Sequence, residues 1–362
     1  MSKTINVGLI GFGMAGRAFH APFIASIPQY NLLKVRETRQ ENIEIIKQRY
    51  PRALIVADAK DIINDSSIDL IVVATPNVFH FSLAKEALLA GKHVIVEKPF
   101  TVTSGEAEEL IAISRKQNKI LTVYQNRRWD SDFKTIKKII ESKVLGNLVT
   151  FESSFERFRD VIKQDTWKEE VNPGTGLLYD LGSHLIDQSI CLFGLPMAVT
   201  CDLRIQRAGG KIIDHFKVQL DYEKVKVTLN ADFLVREPGP RFVLCGDKGG
   251  FVKYGTDVQE EELKAGIFPL DKANWGEEPE GLWGKLNTDV NGLHIIGKVE
   301  SERGEYLAYY KNVYNAIVEK EELIVKPEQG RNTIKVIEHA IKSHAEKRTI
   351  AFSFIPTDTT SI

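Results

Sequence analysis

Three polar groups stand where a merely solvated role explains them badly. Lys98 sits between Glu97 and Pro99, directly after the apolar run His93 to Val96. Asp180 and His184 lie four residues apart in GTGLLYDLGSH, a helical pattern that sets both on one face. An ammonium group can hold a developing oxyanion, a histidine can take a proton, and a carboxylate can orient either one. A histidine base of this kind is expected to titrate between about pH 6 and 8. Far upstream, Gly11-Phe12-Gly13-Met14-Ala15-Gly16 forms a G-x-G-x-x-G directly after the run Ile5 to Ile10 and before a helix-like stretch. In that context the first glycine permits a tight turn and the second lets a pyrophosphate approach the backbone. The third allows close strand–helix packing, and the helix start supplies amide donors to phosphate. Glu37 follows 21 residues after Gly16, where a carboxylate can take both ribose hydroxyls of NAD. Thr38 and Arg39 come next, the groups a 2′-phosphate would want. Because a fixed Glu37 repels such a phosphate while a long arginine can equally lie in water, NAD or NADP is expected, with NAD slightly preferred.

These groups need elements to position them. Up to about residue 125, short β-branched runs (5–10, 32–35, 54–56, 70–74, 93–96 and 120–124) alternate with helical periodicity. That pattern predicts a doubly wound parallel sheet covered on both faces, a Rossmann domain over 1–125. The turn Ala74-Thr75-Pro76-Asn77, Glu97-Lys98-Pro99 and the stretch Tyr124 to Trp129 then fall at carboxyl ends of strands, where such sheets bind ligands. From 126 to 362 the texture becomes an α+β domain with a largely antiparallel open sheet. Its clearest element is a hairpin over 217–235, alternating at Val218, Leu220, Tyr222 and Val225, Val227, Leu229 around Glu223-Lys224. Helices are expected at 135–146, 305–319 and 333–347, and residues 256–304, rich in Gly, Pro and acids, as long loops.

Composition closes off several classes. With 48 Lys plus Arg against 49 Asp plus Glu in 362 residues, the chain lacks the basic surplus of a nucleic-acid binder. It has no run of 18 apolar residues for a membrane helix. The three cysteines, Cys191, Cys201 and Cys245, match neither a redox pair nor zinc-ligand spacing, and no His/Cys cluster offers a metal site. A reduced, cytoplasmic setting without a signal peptide is expected.

GFGMAGR, ATPNVFH, GKHVIVEKPFT and PGTGLLYDLGSHLIDQ stand in the order and spacing of the Gfo/Idh/MocA oxidoreductases, and the chain resembles that family over nearly its whole length. GFGMAGRAFHAPFI, YQNRRWDSDF and FERFRD are similar to the branch containing scyllo-inositol dehydrogenases. The resemblance implies NAD(P)-dependent interconversion of a secondary alcohol and a ketone on a polyol, inositol or sugar. It places the family's lysine on Lys98, its aspartate on Asp180 and its histidine on His184, so that His184 is the general base and Lys98 stabilises the oxyanion. It further implies that Thr75, Pro76, Asn77, His80, Glu97 and Lys98 line the cofactor. Asn126, Arg127, Arg157 and Trp167 are expected on the substrate side, and the C-terminal sheet is implied as the interface of a homodimer or larger homo-oligomer. Two other readings are a same-family enzyme acting on a non-sugar substrate and a non-catalytic dinucleotide sensor. A sensor is expected to have lost the lysine or the histidine, and this chain keeps both.

Overall fold

The computed structural model describes residues 3–164 and 166–352, so the end of the second domain, expected to run to residue 362, lies outside the described residues. Six strands, β1 (Ile5–Ile10), β2 (Tyr30–Arg36), β3 (Leu54–Val56), β4 (Leu70–Val73), β5 (His93–Val96) and β6 (Leu121–Val123), form a parallel sheet in the order β3-β2-β1-β4-β5-β6. Leu70 to Val73 and Val94 to Val96 are completely buried, the signature of strands covered on both faces. The order reverses between β1 and β4, so the carboxyl ends of these strands open a crevice at the switch point.

The second sheet has nine strands. They are β7 (Leu148–Glu156), β8 (Ala198–Arg204), β9 (His215–Asp221), β10 (Lys226–Asp232), β11 (Phe242–Gly246), β12 (Gly249–Lys253), β13 (Gly284–Val290), β14 (Leu293–Val299) and β15 (Ile350–Ala351). In the order β14-β13-β12-β11-β7-β10-β9-β8-β15, only β7 and β10 pair in parallel. The expected hairpin is β9 and β10, with Asp221 opposite Lys226. One face of the sheet is packed by the helices Ser183–Phe193 and Pro327–Glu346, and its strands alternate accordingly, as in β9, where Phe216, Val218 and Leu220 are fully buried.

The segment 256–304 departs from the expected loops, because it contains the helix Gln259–Lys264 and the β13–β14 hairpin. β14 is exposed along almost its whole length; a strand with neither face buried has no reason to alternate, which is why its sequence hides it. The last long helix begins at Pro327, six residues earlier than its apolar periodicity indicates, because proline suits a first helical turn. The preceding helix, Leu307–Val318, packs on the parallel sheet's side of the molecule: Tyr310 stacks on Phe23, and its carbonyl accepts from the Tyr30 hydroxyl at 2.8 Å. No helix of the described residues is long and apolar enough to cross a membrane.

Candidate active site

The glycine turn is built as its spacing implies. Gly11 takes φ +104°, and a Cβ there would stand 2.4 Å from the Ala74 carbonyl oxygen; at Gly16 it would stand 2.1 Å from the Gly11 carbonyl oxygen. Both positions exclude any side chain. Around Gly13, by contrast, the nearest foreign atom is Arg39 Nη2 at 3.8 Å. The turn is therefore sealed against the protein at its first and third glycines and open at its second, a cradle that fits the pyrophosphate of a dinucleotide. Phe12 is buried, its ring edge-on to Tyr50, whereas Met14 is exposed; Ala15 and Gly16 lead into a wide π turn, Gly16–His20, ahead of the helix Ala21–Ser26.

At the end of β2 the Glu37 carboxylate is fully occupied. It accepts from the amides of Thr38 (2.8 Å) and Arg39 (2.9 Å), from the Arg39 guanidinium (3.2 and 2.9 Å) and from the Asn42 amide (2.6 Å). Burial would raise its pKa, but these donors outweigh that and hold it at about 2. Arg39 is thus fixed on Glu37 rather than lying free in water, and its side chain remains 56% exposed beside the turn.

At the end of β4, the Thr75 hydroxyl oxygen is buried without a partner among the described residues, and the Asn77 amide donates across to the Gly174 carbonyl at 2.6 Å. Pro76 is half-buried between them. His80 is completely buried, with Nδ1 2.8 Å from the Pro99 carbonyl and Nε2 2.9 Å from that of Thr75. Burial lowers its pKa, and the ring ties the β4 and β5 loops together.

At the end of β5, Glu97 is buried and accepts from the Lys98 amide (2.9 Å) and meets His20 Nε2 at 2.9 Å. His20 Nδ1 lies 2.6 Å from the Tyr310 hydroxyl. Sequence reasoning missed this chain; a histidine at the end of the glycine helix and a tyrosine 290 residues away offer no local signal. Lys98 points its ammonium outward from this base and donates to the Asp180 carbonyl oxygen (2.9 Å) and carboxylate (2.8 Å). Lys168, which was also missed, approaches both oxygens of the same carboxylate, at 3.3 and 3.4 Å. Burial opposes the charge on Asp180, but Lys168 and Lys98 hold its pKa well below the usual carboxylate range.

Asp180 lies in a second π turn, Leu178–Gly182, that runs into the helix Ser183–Phe193 carrying His184; such turns recur at functional sites. His184 is buried, and neither ring nitrogen has a hydrogen-bond partner among the described residues, Nδ1 being sealed from solvent. Burial and the charges of Lys98, Arg127 and Arg241 drive its pKa well below the histidine range, against Asp180. The ring is neutral across the physiological range, and the titration expected between pH 6 and 8 is displaced to lower pH. An unpartnered neutral imidazole beside an ammonium–carboxylate pair can accept a proton from a hydroxyl whose oxygen the ammonium holds.

Beyond β6, Asn126 and Arg127 are both buried. Arg127 bonds Asp130 (3.2 Å) and Glu260, and Arg128 turns inward to grip Asp187 with two bonds of 2.7 Å. Arg157, at the end of β7, is half-buried and has no acceptor among the described residues. Trp167 is half-buried with the Lys168 ammonium 5.9 Å from its ring. Among the described residues no group of three or more His, Cys, Asp or Glu is gathered as for a metal ion.

Comparison with known proteins adds to this geometry. Residues 5–125 match the model of an oxidoreductase family described as an NAD-binding Rossmann fold, and residues 137–352 match that family's C-terminal alpha/beta domain. The chain is 40% identical over 347 residues to scyllo-inositol 2-dehydrogenase (NADP(+)) IolW of Bacillus subtilis, covering 96% of each chain. It is also 40% identical over 354 residues to the uncharacterised oxidoreductase YdgJ of Escherichia coli, covering 98% of this chain and all of YdgJ. Among solved structures, YPO2259 of Yersinia pestis aligns with TM-score 0.91 at 37% identity over 98% of this chain and 99% of its own.

Proposed function

The chain belongs to the Gfo/Idh/MocA oxidoreductase family, and from that premise we propose that it interconverts a secondary alcohol and a ketone on a polyol, inositol or sugar. The observation that supports this reading is the convergence of Lys98, Asp180 and His184, with His184 neutral and without a hydrogen-bond partner among the described residues. The amides of residues 11–16 and the helix start hold the pyrophosphate, and the dinucleotide, when bound, supplies the hydride chemistry. His184 accepts the hydroxyl proton during oxidation and returns it during reduction. Lys98 donates to the same oxygen and stabilises the alkoxide-like charge. Asp180 fixes the Lys98 ammonium and accepts from a neighbouring hydroxyl of the substrate.

For cofactor choice, the expected preference for NAD assumed an uncompensated Glu37 facing the ribose. With Arg39 neutralising that carboxylate at the edge of the turn, the repulsion weakens and an exposed guanidinium stands ready for a 2′-phosphate. We therefore propose that the chain uses NADP at least as well as NAD, a reading supported by the NADP(+) in the name of IolW. The test is a panel of inositols, hexoses, polyols, uronic acids and inositol phosphates with NAD and with NADP, followed at 340 nm. Sustained formation of reduced cofactor with at least one member supports the reading; no absorbance change with any member points to a sensor or to transient redox chemistry.

A further inference from the structure

Arginines gather within electrostatic reach of the catalytic candidates: Arg127 and Arg241 act on His184, and Arg157 feels Asp180. Three guanidinium groups surround the buried ring of Phe155: Arg241 at 3.8 Å from its centroid, Arg127 at 5.0 Å and Arg157 at 6.0 Å. Two of them are spent inside the protein. Arg127 bonds Asp130 and Glu260, and Arg241 bonds Ser153 and Gln188 and meets Asp132 at 3.4 Å. Arg157 has no acceptor among the described residues, although its backbone is locked: its amide donates to the Asp232 carbonyl (2.9 Å) and its carbonyl accepts from Val235 (3.1 Å).

The acids within reach do not supply what Arg157 lacks. The opposite charges whose field it feels are Glu260 and Asp180, against the like charges of Arg159 and Arg127. Each of those carboxylates already serves two cations, Glu260 binding Arg127 and Lys264, and Asp180 binding Lys98 and Lys168. A half-buried guanidinium forfeits hydration without gaining an acceptor, a cost that an anion placed against it relieves with two parallel charge-assisted bonds.

We infer that the substrate bears, besides the hydroxyl that is oxidised, an anionic group, a carboxylate or a phosphate ester, and that Arg157 receives it. Arg157 is then the residue that selects acidic polyols over neutral ones. The inference names the substrate class of the alcohol–ketone reaction proposed above and rests on that reading for the oxidised hydroxyl alone.

The test is isothermal titration calorimetry on the enzyme saturated with NADPH, where an alcohol binds without turnover. Glucuronate is compared with glucose, galacturonate with galactose, and myo-inositol 1-phosphate with myo-inositol; the first two pairs probe a carboxylate and the third a phosphate. At least one acid should bind tenfold or more tightly than its neutral parent. Arg157→Gln should cut that ratio at least tenfold, and Arg157→Lys, which keeps the charge, should retain more of it. No acid outbinding its parent, or a ratio that Arg157→Gln leaves unchanged, overturns the inference, as does equal loss in the two variants. Since binding is read without turnover, a chain that binds the acid through Arg157 yet oxidises nothing refutes the dehydrogenase reading and leaves the anion site standing.

Discussion

Replacing Lys98 with methionine removes a charge while keeping an unbranched side chain in the cleft. The ammonium makes two bonds, at 2.9 and 2.8 Å, both to Asp180, and in the proposed reaction it is the donor to the oxyanion. Loss of one such donor costs about a hundred- to a thousandfold in kcat, roughly 3–4 kcal/mol in the barrier. The substitution has a second consequence that a packing defect would lack. After burial, Lys98 is the leading group that depresses the pKa of His184. The imidazole must be neutral to accept a proton, so wild-type oxidation should rise with pH along a limb lying below the usual histidine range. Without Lys98 the positive field weakens, the folded pKa rises, and that limb moves to higher pH. Steady-state oxidation rates from pH 4.5 to 9, with NADPH affinity measured in parallel by fluorescence, give all three readouts. Turnover within threefold of wild type, or a limb that stays in place or moves down, would refute the role assigned to Lys98.

Other positions give independent checks. Gly16→Ala places a Cβ 2.1 Å from the Gly11 carbonyl oxygen, so dinucleotide affinity should fall about tenfold or more, a loss of 1.4 kcal/mol per decade; affinity equal to wild type would remove the turn from cofactor binding. Arg39→Ala deletes a charge-assisted contact to a 2′-phosphate worth about 1.5–3 kcal/mol, so the kcat/KM ratio of NADP to NAD should drop about tenfold or more, and an unchanged ratio would show that Arg39 serves only Glu37. Lys253 and Glu278 form an ion pair of 2.6 Å with both side chains wholly buried. Lys253→Met strands the carboxylate, and a loss of about 3–5 kcal/mol is expected, read as a lower Tm; an equal Tm would mean that the pair is easily dispensed with.

The features legible in the sequence are those whose signal is local. Six apolar runs, a glycine turn and a lysine at a strand end each announce themselves within a few residues, and β9 with β10 shows its one buried face by alternation. What stayed hidden depends on contacts across the chain. Arg39 looked free because nothing in its type says that its guanidinium folds back two residues onto Glu37. Arg127 and Arg157 looked equivalent, and they differ because Asp130 and, from a segment taken for loops, Glu260 both engage Arg127. Lys168 meets Asp180 from a short turn, Trp167–Glu169, that has no periodicity. His20, Glu97 and Tyr310 come from three separate elements, and only the packed fold brings them into line.

Hydride transfer from a carbinol carbon to the cofactor, with His184 taking the proton, is followed with inositols, hexoses, polyols, uronic acids and inositol phosphates deuterated at their carbinol carbons, with mass spectrometry and proton NMR of the recovered nicotinamide cofactor. Wild type should place one deuterium at C4 of the reduced ring, at a rate sharply reduced in His184→Ala while cofactor affinity is kept. Reduced cofactor lacking deuterium, or label transfer as fast in His184→Ala as in wild type, would contradict this mechanism.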